Sequence, residues 1–361
     1  DSKRTLGTRD AFSLWFSLGI GLLVLQAGSY LVPGLSLTEA LWAIVIGSVA
    51  GAILLALAGV VGADTGLATM AALRPTLGVR GAHAAAVLNI IQLIGWGAFE
   101  IIAMRDAANT LSTNAFHMTL PVVWTLVFGV AATGLAVMGP LSFVRRFLRH
   151  WGLWILLLGA VWMTWALLSR HDLLALLARP GTGALSLSGG IDLVVAMPLS
   201  WLPLIADYAR FGKSAKSMFR GSALGYVLAN IWFFALGAAY ALISANDPQG
   251  MLLSALATTG GGLALLLILI DETDNVFADI FSAATSTASI FHFRIPHLVM
   301  GFGALCTAIA LFVPMDSFVN FLIAIGSVFT PLYGVLLVDH FVIRRRQIIA
   351  KDIMRMAGVY R

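Results

Sequence analysis

Apolar runs near the ~20 residues that cross a bilayer recur ten times along this chain, with only short loops between them. They fall at Ala11–Val32, Leu37–Val61, Ala84–Met104, Leu120–Met138, Trp151–Ser169, Ile191–Tyr208, Phe219–Ile243, Gly262–Ala284, His297–Val313 and Ser317–Ile343. Only 11% of residues are charged, against roughly 25% in a soluble domain. A mean hydropathy of +0.93 excludes disorder and a soluble core alike. The expectation is an all-α integral membrane protein, one transmembrane domain over residues 1–361, with the lipid bilayer as its solvent.

Basic residues alternate by side between the spans. Lys3, Arg4 and Arg9 precede the first, and Arg74 and Arg80 follow the second. Arg145, Arg146 and Arg149 follow the fourth, and Arg210, Lys213, Lys216 and Arg220 the sixth. Arg294 follows the eighth, and Arg344, Arg345, Arg346 and Lys351 the tenth. The opposite loops hold mainly Glu39, Asp172, Asp247 and Asp316, with Arg170 and Arg179 as exceptions. By the positive-inside rule both termini are cytoplasmic and the protein sits in the cytoplasmic (inner) membrane. Topology thus accounts for the net charge of +5 without a nucleic-acid partner. No cleavable signal peptide is expected, because the first run is full length. Cys306 reads as a small buried hydrophobe, and the seven histidines show no metal-ligand spacing.

Ten spans divide into two halves of five, about 11–169 and 191–343, inverted with respect to each other. In the sixth, Val194–Phe211, two prolines flank Ser200 and Trp201. Each proline removes a donor and crowds the preceding turn, and such a break survives in hydrocarbon only where protein or a watered cavity satisfies the freed groups. The first span is weakened by Gly19, Gly21 and the run Gln26–Ala27–Gly28–Ser29. Glycine alone can mean close helix packing. Paired interruptions at corresponding positions point to a transporter with a site near mid-membrane.

Polar residues inside the spans mark that site. In span three, Asn89, Gln92, Trp96 and Glu100 fall within about 80° on a helical wheel. Gln92 offers donors and an acceptor, and Trp96 a face for a ring; helix–helix hydrogen bonding is the alternative. Glu100 lies nearer the outer end, where water or Arg105 could satisfy it. In span eight, Asp271, Glu272, Asp274, Asn275, Asp279, Ser282 and Ser286 share an arc of about 160°, with Thr273 opposite. No span interior supplies a lysine or arginine to pair with these acids. Since a carboxylate at mid-membrane costs at least ~2.5–3.5 kcal/mol, the face implies protons, or a cation with water. Asp207 reads as a local ion pair or cap with Arg210, Asp64 and Thr65 as loop chemistry, and Arg105 and Asp106 as the end of span three.

The blocks FSLWFSLGIG, GADTGLATMAALRPTLGVRG, NIIQLIGW, PLSWLPLIADYARF and TDNVFADIFSAAT, in this order, resemble the nucleobase:cation symporter-1 family, and within it the hydroxymethylpyrimidine branch most closely, with cytosine permeases as neighbours. The resemblance implies a LeuT-like fold of two inverted five-helix repeats with helices one and six broken. It implies a cation site at Ser17, Ile20, Ile270, Thr273 and Asp274, for Na+ or H+ as coupling ion, with no other cofactor. Where relatives place a hydroxyl, this chain offers Asp274. It also implies a ring pocket from Gly21, Gln92, Trp96, Glu100, Ser200, Trp201, Asn275 and Asp279, with the heterocycle stacked between Trp96 and Trp201.

The resulting expectation is a cation-coupled importer of a pyrimidine-type heterocycle, hydroxymethylpyrimidine first and cytosine or another nucleobase second. A membrane-embedded enzyme would need a catalytic pattern such as G-x-S-x-G or H-E-x-x-H, and none is present; no catalytic residues are expected. The aromatic pair and the broken helices favour a ligand pocket over an ion channel. No P-loop serves ATP.

Overall fold

The computed structural model describes residues 4–138, 153–244, 262–291 and 293–347, without the side chains of 153, 155, 156, 263–268, 270, 271, 274 and 289. Arg145, Arg146, Arg149 and Lys351 therefore lie outside the described residues, as do the side chains of Ile270, Asp271 and Asp274.

Helix covers all ten expected spans. Span one is two helices, α1 (Thr8–Leu18) and α2 (Leu22–Ser29); span two is α3 (Leu37–Thr65), followed by a single turn, α4 (Thr69–Ala72). Span three is α5 (Arg74–Phe116), span four α6 (Pro121–Met138) and span five α7 (Leu153–Arg170). After the short α8 (Leu173–Leu177), span six comprises α9 (Leu187–Ser200) and α10 (Leu202–Ala209). Spans seven to nine are α11 (Ala215–Ile243), α12 (Gly262–Ile290) and α13 (Ile295–Phe312). Span ten is α14 (Phe318–Val338), ending in a π turn over Asp339–Ile343. Among the described residues, seven helices are long and apolar enough to cross a membrane, or eight if the bent pair α1–α2 counts as one span.

Local chemistry sets the ends. Ser36 and Glu39 form a reciprocal capping box at the start of α3, the Glu39 N–H donating to Ser36 Oγ at 3.3 Å and the Ser36 N–H to Glu39 Oε2 at 2.9 Å. Gly66, at φ 71, closes its other end in the left-handed conformation. α5 extends well past the expected span in both directions. Its first turns are set off by Gly78, at φ 72, which a residue with a Cβ adopts only under strain.

The helices pack as two groups. α1, α2, α3, α9, α10 and α11 pack on one another, and α5, α6, α7, α12 and α13 form the second set, with α14 lying against α9 and α5. Spans four and nine bury less than a quarter of their apolar windows inside the protein. Residues such as Val130 and Phe312 therefore face outward on the rim, as a surface in lipid allows. The α5–α12 contact puts the polar stripe of span three against the acidic face of span eight.

On the side of the basic loops, two sequence expectations are corrected. Asp64 is not loop chemistry: its carboxylate accepts a bidentate pair from Arg346 at 2.8 and 2.6 Å and lies 3.1 Å from His340 Nε2. It thereby ties the end of span two to the end of span ten. Asp207 makes no side-chain pair with Arg210, whose Nε donates instead to the Asp207 carbonyl at 3.2 Å. Its carboxylate accepts the Thr69 N–H at 2.8 Å at the start of α4 and the Ser282 hydroxyl at 3.4 Å. Sequence neighbours suggested local partners; folding supplied distant ones.

Candidate functional site

The site begins where span one stops being helical. After Leu18 the chain passes through Gly19, Ile20 and Gly21, and α2 leaves at 56° to α1. The first N–H groups of a helix have no partner within it, and Gly21 has no side chain to cap them. The Leu22 N–H instead donates to Glu272 Oε2 of α12 at 2.8 Å. The approach at Gly21 is close: a Cβ there would lie 2.7 Å from Glu272 Oε2 and 3.1 Å from Asn275 Nδ2, so those two side chains would have to shift. Asn275 Nδ2 donates to the Ile20 carbonyl at 3.5 Å, a weak contact that leaves this oxygen accessible to another partner.

Span six is interrupted more gently. α9 runs through Pro198 to Ser200, Trp201 keeps near-helical angles (φ −85, ψ −5), and Pro203 sits in the first turn of α10, where its missing donor costs nothing. The two halves form one span of 23 residues. The Ser200 hydroxyl donates to the Met197 carbonyl at 2.7 Å, while the Ser200 carbonyl, freed at the break, accepts from Gln92 Nε2 at 3.4 Å. Gln92 Nε2 also donates to Asn89 Oδ1 at 3.0 Å, and Asn89 to Ser286 Oγ at 2.9 Å. A polar chain thus crosses from span eight through span three to the break in span six.

Glu100 corrects another expectation. It is buried, 3% exposed, and its carboxyl hydrogen-bonds to Asp279 of α12. Arg105, considered beside water as a partner for Glu100, engages Asp106 at 2.8 Å and the Ala310 carbonyl at 2.8 Å.

The aromatic residues have neighbours of their own. Trp96 meets Phe318 and Phe321 edge-on at 5.7 and 5.5 Å, and Trp201 meets Trp15 edge-on at 6.1 Å. Of the expected cation ligands, Ser17 is fully buried and its carbonyl accepts the Ile20 N–H at 3.0 Å. The Thr273 hydroxyl bonds back to the Leu269 carbonyl at 3.3 Å. The side chains of Ile270 and Asp274 lie outside the described residues.

Gln92 Oε1, Trp96 Nε1, Asn275 Oδ1 and Asp279 Oδ2 are among the buried polar atoms of this region without a hydrogen-bond partner among the described residues. They are three acceptors and one donor, on α5 and α12. Buried polar groups without partners are rare because each costs about 1–3 kcal/mol; a ligand with complementary groups would remove that cost. Glu272 is the residue that sequence reasoning left out of the pocket. The helical wheel placed it on the acidic arc, and only the approach of α12 to Gly21 distinguishes it from its neighbours.

Comparison with known proteins shows the family and the fold. All of the chain, residues 1–361, matches the family described as permease for cytosine/purines, uracil, thiamine, allantoin. A cytosine permease of Escherichia coli (strain K12) is 26% identical over 337 residues, 88% of this chain and 74% of the relative. A hydantoin permease of Microbacterium maritypicum is 22% identical, over 99% of this chain and 78% of its own. Among solved structures, Mhp1, a nucleobase-cation-symport-1 family transporter in a closed conformation with bromovinylhydantoin bound, superposes with TM-score 0.84. It is 20% identical and covers 99% of this chain and 83% of its own. A Na+-coupled sialic acid symporter shares the fold at TM-score 0.70 and 13% identity, over 95% of this chain and 80% of its own. The chain is a multi-pass membrane protein of LeuT-like fold and a permease rather than an enzyme, and it belongs to the nucleobase:cation symporter-1 family.

Proposed function

We infer that this protein imports a pyrimidine-type nucleobase, coupled to a cation, by alternating access, with both termini in the cytoplasm. The observation that carries the reading is the set of unpartnered buried atoms, Gln92 Oε1, Trp96 Nε1, Asn275 Oδ1 and Asp279 Oδ2. A ring with an amino group beside a ring nitrogen supplies a donor and an acceptor on one edge, the complement of a carboxyl and an amide. Cytosine carries that edge, and the similarity to cytosine permeases puts it first among substrates. Hydroxymethylpyrimidine carries the same edge, and the sequence blocks that look closest to that branch keep it second. Trp96 and Trp201, with Gly21, Glu100 and Ser200, would complete the walls around the ring.

Two five-helix repeats, about 11–169 and 191–343, give the machine its symmetry. Support comes from the packing: the α1–α11 contact has its counterpart in α9–α3, α5–α13 in α12–α6, and α5–α6 in α12–α13. Each pair maps onto the other when a span is exchanged for the one five later. A cation held by Ser17, Ile20, Ile270, Thr273 and Asp274 would bridge span one to span eight. It would favour one arrangement of the two groups by its differential affinity.

The experiment is thermal stabilisation of the purified protein by cytosine, uracil, hypoxanthine, hydantoin, hydroxymethylpyrimidine and thiamin, each with and without sodium. A selective shift with cytosine, enlarged by sodium, is expected; a flat response to every ring would sink the reading. Asp274→Ala is expected to remove the cation dependence of binding. A sodium or pH response identical to that of the wild type would move the cation site elsewhere.

A further inference from the structure

The pocket contains a carboxylate that no ligand has to bring. α2 is eight residues long, and its N-terminus opens at Gly21 into the region between spans one and eight. Such an end is a ready anion site, because unpaired N–H groups and the helix dipole both favour negative charge. In transporters with broken helices it is where an anionic group of the substrate docks. Here the position is taken. Glu272, 1% exposed, accepts the Leu22 N–H at 2.8 Å. Both its oxygens lie within 3.0 Å of where a Cβ of Gly21 would stand, so the carboxylate rests directly on the backbone.

The surroundings reinforce the sign. Glu272 acts electrostatically on Asp279, which is hydrogen-bonded to Glu100. α2, α9 and α12 contain no lysine or arginine, and Arg105, the basic residue nearest to Glu100 along the chain, is engaged by Asp106 and Ala310. An anionic ring would find the helix terminus occupied and two further carboxyl groups, Asp279 and Glu100, in the same pocket region.

Building on the ligand reading above, we propose that Glu272 determines specificity: its carboxylate fills the anion position at the N-terminus of α2, so the pocket takes neutral or cationic rings and rejects anionic ones. This assigns one member of the acidic face a task distinct from cation binding. It is also consistent with a glycine at position 21, since a Cβ there would have to displace the Glu272 carboxylate.

The test uses the purified full chain, with wild type beside Glu272→Gln and Glu272→Ala, and reads thermal unfolding against two probes. The first is formate, with chloride at equal ionic strength as control. The second is a matched pair of pyrimidines of one shape, bearing a carboxamide or a carboxylate at the same ring position. Formate is expected to stabilise Glu272→Ala, where the helix terminus stands open, and to leave wild type and Glu272→Gln unmoved. Wild type should respond to the carboxamide at concentrations at least about a hundredfold lower than to the carboxylate, a difference of ~2.7 kcal/mol. In Glu272→Gln, which keeps an oxygen for the Leu22 N–H but no charge, that gap should narrow at least about tenfold. Equal responses of all three proteins to formate, or the same ring gap in wild type and Glu272→Gln, overturn the proposal. If no neutral ring stabilises wild type, the ligand reading falls by itself and the formate comparison still decides the role of Glu272. If Glu272→Ala does not fold, the ring comparison in Glu272→Gln decides.

Discussion

Spans one and six both lose regular helix at mid-length, yet one turns by 56° without a proline and the other passes two prolines as a single span. The difference lies in where the freed backbone groups find partners. At Trp201 the N–H groups are satisfied at home, those of Leu204 and Ile205 returning to the Trp201 carbonyl at 3.0 and 3.1 Å, and only the Ser200 carbonyl looks elsewhere, to a long 3.4 Å contact from Gln92. At Gly21 the partner comes from another helix, Glu272, far along the chain. A break repaired locally leaves the helix on course. A break repaired by a distant side chain can open wide, and it makes the two helices depend on each other. Any rearrangement that parts span one from span eight must release the Leu22–Glu272 bond, whereas Trp201 can move with its own helix.

That contrast can be broken by substitution. The largest effect is expected from Gly21→Val, which must push the Glu272 carboxylate off the backbone. Leaving such a buried group without its partner costs about 3–5 kcal/mol, so ring binding and much of the thermal stability should vanish together in a melting assay. A Gly21→Val protein that binds normally would show that the contact is dispensable. Trp201→Ala comes next. Loss of a stacking ring costs about 1–3 kcal/mol, so binding should weaken roughly ten- to a hundredfold and uptake should fail while the protein still inserts. Normal uptake by this variant would remove Trp201 from the pocket. The smallest effect is expected for Pro198→Ala. The helix already continues through this residue, which sits over Gly51 of α3, and affinity should change by less than about threefold, ~0.7 kcal/mol. If Pro198→Ala were as damaging as Gly21→Val, the two breaks would be equivalent after all.

Much of this was legible in the residues. The stripe Asn89, Gln92, Trp96 and Glu100 meets the acidic face of span eight because helical periodicity fixes which residues share a side, and burying polar groups in hydrocarbon forces the two faces together. Three other features were not legible. Glycine propensity said that span one could bend, but proline placed the sharper break in span six; the energy of a break depends on its repair, which is tertiary. For Glu100, water or Arg105 were the partners that sequence suggested, yet the arginine reaches the Ala310 carbonyl and the carboxyl lies toward Asp279. Asp64 found Arg346 and His340 at the other end of the chain, a pairing that no local rule contains.

Sequence alone determined what a solvent imposes. Long apolar runs with few charges have one favourable environment, and the alternation of basic loops is the basis for the orientation proposed for them. The acids that remain inside are the basis for the proposed ion and ligand sites, because isolated charge there is costly to keep. Which acid serves which purpose was decided only by the packing of α12 against α2 and α5. Side chains one residue apart on a helix, Glu272 and Thr273, point about 100° apart. One therefore meets the open end of another helix, and the other bonds back to its own turn.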